Sequence, residues 1–373
     1  MNRLHIVDTT LRDGEQAAGV VLSRTDRVEI ARTLVEAGVP ELEVGVPAMG
    51  PDAIADIASV VAAVGSDRVV TWCRGAEADL EAAVSTGAAA VHLSFPASSL
   101  HQTVWRLPPE VIFARVRTLV LKARDRFARV YVGAQDASRA EPEFLAELAR
   151  VAFEVGAQRI RYADTVGRLA PSQIAAAFNP IRRAAPGMEI EFHGHNDLGL
   201  ATANALAAYE AGAEAVSVTV NGLGERAGNV ALEELVMALR VTRGIEGLVD
   251  CGKLAALSDL VARAADRPLP VQKPVVGSAA FLHESGIHCA GQLRDVRSYE
   301  VYSPSIVGRE RPAFVLGSHT GGASVAAALQ AQGVQISPEN ARRVAARVRE
   351  LASSRGCAMS AYELRSLLNE SAA

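Results

Sequence analysis

Short aliphatic, β-branched runs alternate with amphipathic stretches over about the first two thirds of the chain. Leu4–Asp8, Glu41–Val46, Val69–Cys73, Ala89–Phe95, Arg129–Ala134, Arg159–Ala163, Glu189–His193 and Ala215–Asn221 read as strands. Apolar positions three and four apart predict helices near residues 24–37, 52–64, 76–86, 109–127, 141–155, 171–184, 199–211 and 230–243. Helical stretches repeatedly run out in a glycine shortly before the next strand, at Gly38, Gly87, Gly156 and Gly212, as left-handed C-caps require. Eight strand–helix units of this kind predict a parallel (β/α)8 TIM barrel. A doubly wound open sheet is the structural alternative, disfavoured because no GxGxxG follows the first strand. After about residue 245 the rhythm changes. A proline-rich connector (Arg267-Pro268-Leu269-Pro270, Lys273-Pro274) leads into a loop-rich stretch to about residue 322, and helical patterns resume at Gly322–Gln332, Pro338–Ser353 and Ala361–Asn369. The expected organisation is a catalytic barrel over 1–248, then a linker and a smaller, mostly helical C-terminal region over 249–373.

A chain of 373 residues, 49% hydrophobic, is long enough for such a barrel plus an appendage. A net charge of -4 offers no basic field for nucleic acid or an anionic membrane. Met1-Asn2-Arg3-Leu4-His5 lacks the apolar core of a signal peptide, and no run of eighteen apolar residues occurs. Cys73, Cys251, Cys289 and Cys357 are scattered without a CxxC pair, which suits a reducing compartment. A cytoplasmic protein is expected.

Working groups of such a barrel lie at the C-terminal strand ends and in the loops beyond them. The seventh strand ends in His193-Gly194-His195-Asn196-Asp197. Residues i and i+2 of an extended chain face one side, so both imidazoles can converge on one ion. The first strand runs into Asp8-Thr9-Thr10-Leu11-Arg12-Asp13-Gly14-Glu15-Gln16. One strand separates it from the seventh in a closed ring of eight, so Asp13 can reach the same ion. This mixed nitrogen and oxygen set suits Zn²⁺, Mn²⁺, Co²⁺ or Mg²⁺. Arg12 offers a permanent charge for a carboxylate or a developing enolate oxygen. The eighth strand ends in Asn221-Gly222-Leu223-Gly224-Glu225-Arg226-Ala227-Gly228-Asn229, where glycines allow tight turns or close ligand approach. Without GKS or GKT it is no P-loop. Asn229 reads either as a helix N-cap or as an amide-oxygen ligand. Glu43, on an otherwise apolar strand, needs a partner if buried. Arg74, His92 and Arg161 lie at positions where each can meet a substrate carboxylate.

These three segments together resemble the acyl-CoA condensing synthases of the DRE-TIM metallolyase superfamily, which include 2-isopropylmalate, citramalate and homocitrate synthases. Glu41–Pro47, Gln135–Arg139, Ala163–Gly167 and Phe281–His288 extend the likeness over nearly the whole chain, with the nitrogen-fixation type of homocitrate synthase nearest. The resemblance implies that Asp13, His193 and His195 hold a divalent metal, with Asn229 at or beside the site. Arg12 then steadies the oxo-acid carbonyl, while Gln16, Glu43 and Thr165 line the acceptor pocket. Asn221, Gly222, Gly224, Glu225 and Arg226 are the candidates for cofactor contact. His288 corresponds to a second-domain histidine implicated in proton transfer, and Tyr299 to a supporting tyrosine. In the family that segment reaches into a neighbouring subunit's barrel, which implies a homodimer. The implied reaction condenses acetyl-CoA with a 2-oxo acid, 2-oxoglutarate foremost, giving homocitrate and CoA; the alternatives are 2-isopropylmalate, citramalate or a phosphonate-type malate synthase, and a non-catalytic homologue.

Two departures bear on substrate rather than fold. Gln135-Asp136 stands where the family has Glu-Asp, so a titratable group is lost at a catalytic position. Cys289-Ala290-Gly291 follows His288 where Gln-Asp-Gly or Val-Asp-Gly is usual. The loop after the eighth strand lacks the cysteine of hydroxymethylglutaryl-CoA-type lyases, which favours a synthase. About fifty residues follow His319, fewer than the regulatory module of long isopropylmalate synthases (roughly a hundred, one small domain), so feedback control through such a module is not expected.

Overall fold

The computed structural model describes residues 4–371. Eight parallel strands, β1 (His5–Asp8), β2 (Glu41–Glu43), β3 (Val69–Arg74), β4 (Ala90–Pro96), β5 (Arg129–Gln135), β6 (Arg159–Asp164), β7 (Glu189–Gly194) and β8 (Ala215–Val218), close in chain order into a barrel. The seam between β8 and β1 runs in register from His5↔Ala215 to Asp8↔Val218. This is the TIM barrel that the alternation predicts. Two strands stop earlier than the sequence suggests. β2 gives way at Gly45 to a 3-10 turn over Pro47–Met49, and beyond β8 the segment Val220–Gly222 is a 3-10 turn with Asn221 in the left-handed region.

Two compact units are present, Met1–Leu269 and Pro270–Ala373. The first contains the helix Leu254–Ala264, whose Leu254, Leu257 and Val261 are buried. That helix, together with Ser99–Trp105 and Gly286–Arg294, falls where the sequence reading expects loop or linker. In the second unit Gly322–Gln330, Pro338–Arg355 and Ala361–Ser371 are helical as expected, around a core that includes Leu316, Val325, Leu329, Val348 and Leu364.

Inside the barrel, strand periodicity places charge where such folds usually carry branched aliphatics. Leu42, Ile160 and Ile190 alternate with the charged pairs Glu41/Glu43, Arg159/Arg161 and Glu189/Glu191. Of those six, all but Glu189 are buried and face the barrel axis. Arg159 meets Glu41 at 2.8 Å and lies over the Tyr131 ring. One level up, Arg161 bonds Glu43 at 2.7 Å and Glu191 at 2.7 Å, and Ser217 donates to Glu191. Buried charges persist only when paired and hydrogen-bonded. Arg161→Met leaves Glu43 and Glu191 facing each other across an apolar side chain. It is expected to cost about 3–5 kcal/mol in urea unfolding, with much of the loss recovered in the Glu43→Gln/Arg161→Met/Glu191→Gln triple variant. A cost below about 1 kcal/mol contradicts this account of the interior.

Candidate functional site

Asp13 follows β1, in the turn where the Gly14 amide bonds back to the Thr9 carbonyl at 3.0 Å. His193 ends β7 on its inner face, and His195 lies two residues on. Their Nε2 atoms are 3.3 Å apart, and Asp13 Oδ2 lies 3.4 Å from His193 Nε2 and 3.8 Å from His195 Nε2. All three residues are buried, and one ligand atom from each falls within 4.8 Å of the others. Arg12 Nη1 donates to Asp13 Oδ1 at 2.5 Å, which leaves Oδ2 without a hydrogen-bond partner. Burial raises the Asp13 pKa, but Arg12 and His193 outweigh it and hold the carboxyl well below its ordinary range. Burial, then the neighbouring His193, push His195 down to about 4, so it is a neutral imidazole at neutral pH. An ionised carboxylate with an orphaned oxygen, beside a neutral imidazole, is a donor set that a divalent cation completes.

Asn229 reaches the same place by a different route. Gly228 sits at φ +88°, where a Cβ would fall 1.9 Å from the Gly222 carbonyl oxygen. The loop therefore folds tightly enough for Asn229 to form an antiparallel bridge with His195. Its Nδ2 donates to the Leu223 carbonyl at 3.0 Å, and its buried Oδ1 has no partner. The helix that follows begins at Leu232 with Ala231 as its N-cap, so the N-cap reading of Asn229 is corrected: the residue sits before the cap and is bridged to His195 through the backbone.

A cavity of about 230 Å³ adjoins these groups, and Arg12, Gln16, His92, Gln135, Arg161 and Thr165 line it together with Asp13, His193 and His195. Glu43 is fully buried beneath, bonded by Arg12 Nε at 2.6 Å and by Thr9 and Arg161. Burial works against its charge, but Arg12 and Arg161 keep it ionised far below the usual carboxylate range.

Residues 3–261 match the HMGL-like family model, and residues 275–356 match the homocitrate synthase post-HMGL domain-like model. The chain belongs to the HMGL-like family. It is 41% identical to homocitrate synthase 1 of Nostoc sp., covering 99% of this chain and 98% of that one. It is also 41% identical to the 2-phosphonomethylmalate synthase of Streptomyces rubellomurinus, across the full length of both. An HMG-CoA lyase from Brucella melitensis superposes with a TM-score of 0.63 at 22% identity, over 71% of this chain and all of that one, and so shares the barrel fold. Among HMGL-like proteins this one is an acyltransferase of the homocitrate synthase-like kind.

Not every residue singled out from the sequence converges on the cavity of this HMGL-like barrel. The Arg74 side chain is two-thirds exposed and paired with Asp79 at 2.8 Å, and it lines an adjoining pocket that shares Arg12, Gln16 and Trp72 with the cavity. Asn221 is tied by its Nδ2 to the Ser258 carbonyl and by its amide to Glu233, which makes it a brace of the loop. Gly222 shapes that loop too, accepting from the Asn229 amide at 3.0 Å. A Cβ on Gly224 would strike Asn229 Nδ2 at 2.1 Å. Glu225 and Arg226 do line the cavity, where Arg226 clasps Asp197 at 2.7 Å and the Thr165 carbonyl at 2.8 Å. The Thr165 hydroxyl accepts from the Asp136 amide at 2.8 Å. In the second unit His288 stacks on Tyr299, ring centroids 4.1 Å apart, with the His283 ring at 6.1 Å. Sequence reasoning missed Trp72, which packs under the Arg12 guanidinium at 5.4 Å, and the small polar Ser94; both line the cavity. It also missed Glu191. The repeated Glu-x-Glu and Arg-x-Arg spacing on three strands was the available signal.

The depressed pKa of His195 contributes to the pH response of the metal-stripped protein. The unfolded chain takes up this proton near 6.5 and the folded one only near 4, so stability is lost as pH falls through that window. Between pH 7 and pH 4 the wild type is expected to lose about 3 kcal/mol more than His195→Asn in urea unfolding. Equal losses in the two proteins contradict a buried neutral His195.

Proposed function

We propose that this protein condenses acetyl-CoA with a 2-oxo acid, with 2-oxoglutarate the foremost acceptor and homocitrate and free CoA the products. The observation that carries the reading is Asp13 Oδ2, held out unpaired toward two imidazoles at the edge of a cavity whose arginines are already charge-matched. Asp13, His193 and His195 would hold a divalent cation, with Asn229 Oδ1 beside them. Such an ion supplies Lewis acidity at the ketone of a chelating 2-oxo acid. Arg12, clamped between Glu43 and Asp13, retains N–H groups that can stabilise negative charge on the former keto oxygen.

The remaining steps fall to a base and to water. His288 takes a proton from the acetyl methyl group, and that carbon attacks the keto carbon, whose oxygen becomes an alkoxide and is then protonated. Water cleaves the thioester to a carboxylate and free CoA. Tyr299, stacked on His288, orients the ring. Gln135 cannot exchange a proton, so it serves this scheme only as a hydrogen-bonding group. The working form is taken to be a cytoplasmic homodimer with an exchanged C-terminal segment, of the nitrogen-fixation type. A second reading, a phosphonate-bearing acceptor, is favoured by the full-length match to the Streptomyces enzyme.

Thiol release from acetyl-CoA, with 2-oxoglutarate, pyruvate, 2-oxoisovalerate and a phosphonate-bearing 2-oxo acid in turn, tests the reading. Turnover is expected with at least one acceptor, to vanish on chelation and to return with added Mn²⁺, Co²⁺, Zn²⁺ or Mg²⁺. His193→Ala or His195→Ala should lower kcat/KM on the order of a thousandfold, ~4 kcal/mol of lost transition-state stabilisation. Undiminished turnover after thorough chelation, or no thiol release with any acceptor, overturns it.

A further inference from the structure

The cavity has two ends. In the closed ring, β4 and β5 lie across from β8 and β1. If the oxo-carboxylate head of an acceptor sits at Asp13, His193 and His195, as the proposed function holds, its far end points toward β4 and β5. That wall is made of His92, Ser94, Gly133 and Gln135.

Charge matching restricts what the wall can recognise. Arg12 is bonded to Glu43 and Asp13, Arg161 to Glu43 and Glu191, and Arg226 to Asp197. Each guanidinium that lines the cavity is already charge-matched by carboxylate, so none offers an uncompensated positive charge to a second substrate anion. The far wall is nonetheless polar. Ser94 and Gly133 sit side by side in the strand register, and their small size gives the cavity depth. The His92 ring occupies the space that a side chain at 133 would need: a Cβ there would lie 2.3 Å from His92 Nε2. His92 is 1% exposed, yet its Nδ1 has no partner. Burial, reinforced by Arg161, keeps this imidazole neutral, so one ring nitrogen carries a proton to donate and the other accepts.

A buried polar group left unmatched at a ligand wall penalises ligands that cannot satisfy it. A branched aliphatic end leaves His92 unsatisfied, whereas a carboxylate or phosphonate brings acceptor oxygens to it. We propose that His92, seated in the slot left by Gly133 and flanked by Ser94, is a specificity-determining residue that donates a hydrogen bond to an anionic group at the far end of the acceptor. Recognition there runs through neutral donors, not through an arginine.

The test compares kcat/KM for 2-oxoglutarate and a phosphonate-bearing 2-oxo acid against 2-oxoisovalerate and pyruvate, with Mn²⁺ binding followed by calorimetry in each variant. His92→Leu, which removes the donor, is expected to lower the anionic-to-apolar ratio at least about tenfold, mostly through KM, with Mn²⁺ affinity unchanged. His92→Asn, which keeps a donor, should recover part of the ratio. Gly133→Ala, which closes the slot, should lower it as His92→Leu does. The two anionic acceptors distinguish a carboxylate end from a phosphonate end. An unchanged ratio in His92→Leu that still binds Mn²⁺ overturns the inference, as does a wild type that prefers 2-oxoisovalerate; either result leaves the condensing activity standing. Absence of thiol release with every acceptor overturns the proposed function instead. Calorimetric binding of 2-oxoglutarate to the Mn²⁺-loaded protein then decides the inference, which fails if His92→Leu binds as tightly as wild type.

Discussion

A single carboxylate, Asp13, is pulled in two directions, and the site is organised around that competition. One of its oxygens is held by Arg12; the other is presented to His193 and His195. Arg12 is in turn anchored by Glu43, Glu43 by Arg161, and Arg161 by Glu191, so alternating charges run from the barrel interior up to the candidate metal ligands. Each charge in this chain is paid for by the next. Bringing the side chains together from β2, β6 and β7 requires a closed barrel, because only closure places those inner faces within hydrogen-bonding distance.

This arrangement gives the barrel an unusual interior. Most aliphatic packing lies on the outer strand faces and the helices over them, while the axis carries Glu41, Glu43, Arg159, Arg161 and Glu191 beside a small apolar cluster of Val70, Ala90 and Tyr131. Low dielectric makes such pairs strong and makes an unmatched partner costly. The same property fixes Arg12 before any substrate arrives, and preorganised charge of this kind needs no rearrangement when negative charge develops on a bound oxygen.

Much of this is legible in the residue order. The period of the apolar runs gives the eight strands and their parallel closure, and i, i+2 spacing gives the two histidines on one strand face. The loop glycines after β8 point to a tight turn, and Gly228 supplies it. Side-chain commitments are less legible. Arg74 and Arg161 look alike as strand arginines, but one belongs to exposed Asp79-paired surface and the other is locked between two buried carboxylates. That difference depends on which inner-face residues the neighbouring strands supply, and strand order alone does not reveal it. Asn229 shows the same limit: its position just before a helix leaves a cap and an amide ligand both open, while the bridge to His195 is a tertiary contact. The short helices at Ser99–Trp105 and Gly286–Arg294 bury little apolar surface of their own, so no strong periodicity announces them.

The proposed chemistry requires that Asp13, His193 and His195 bind one ion. Anomalous diffraction from crystals of the Mn²⁺-loaded protein, recorded with and without 2-oxoglutarate, tests this most directly. One strong peak is predicted within coordination distance of Asp13 Oδ2 and both Nε2 atoms, at about 2.0–2.3 Å. A peak elsewhere, with Asp13 and the two imidazoles bonded only to protein and water, would contradict it.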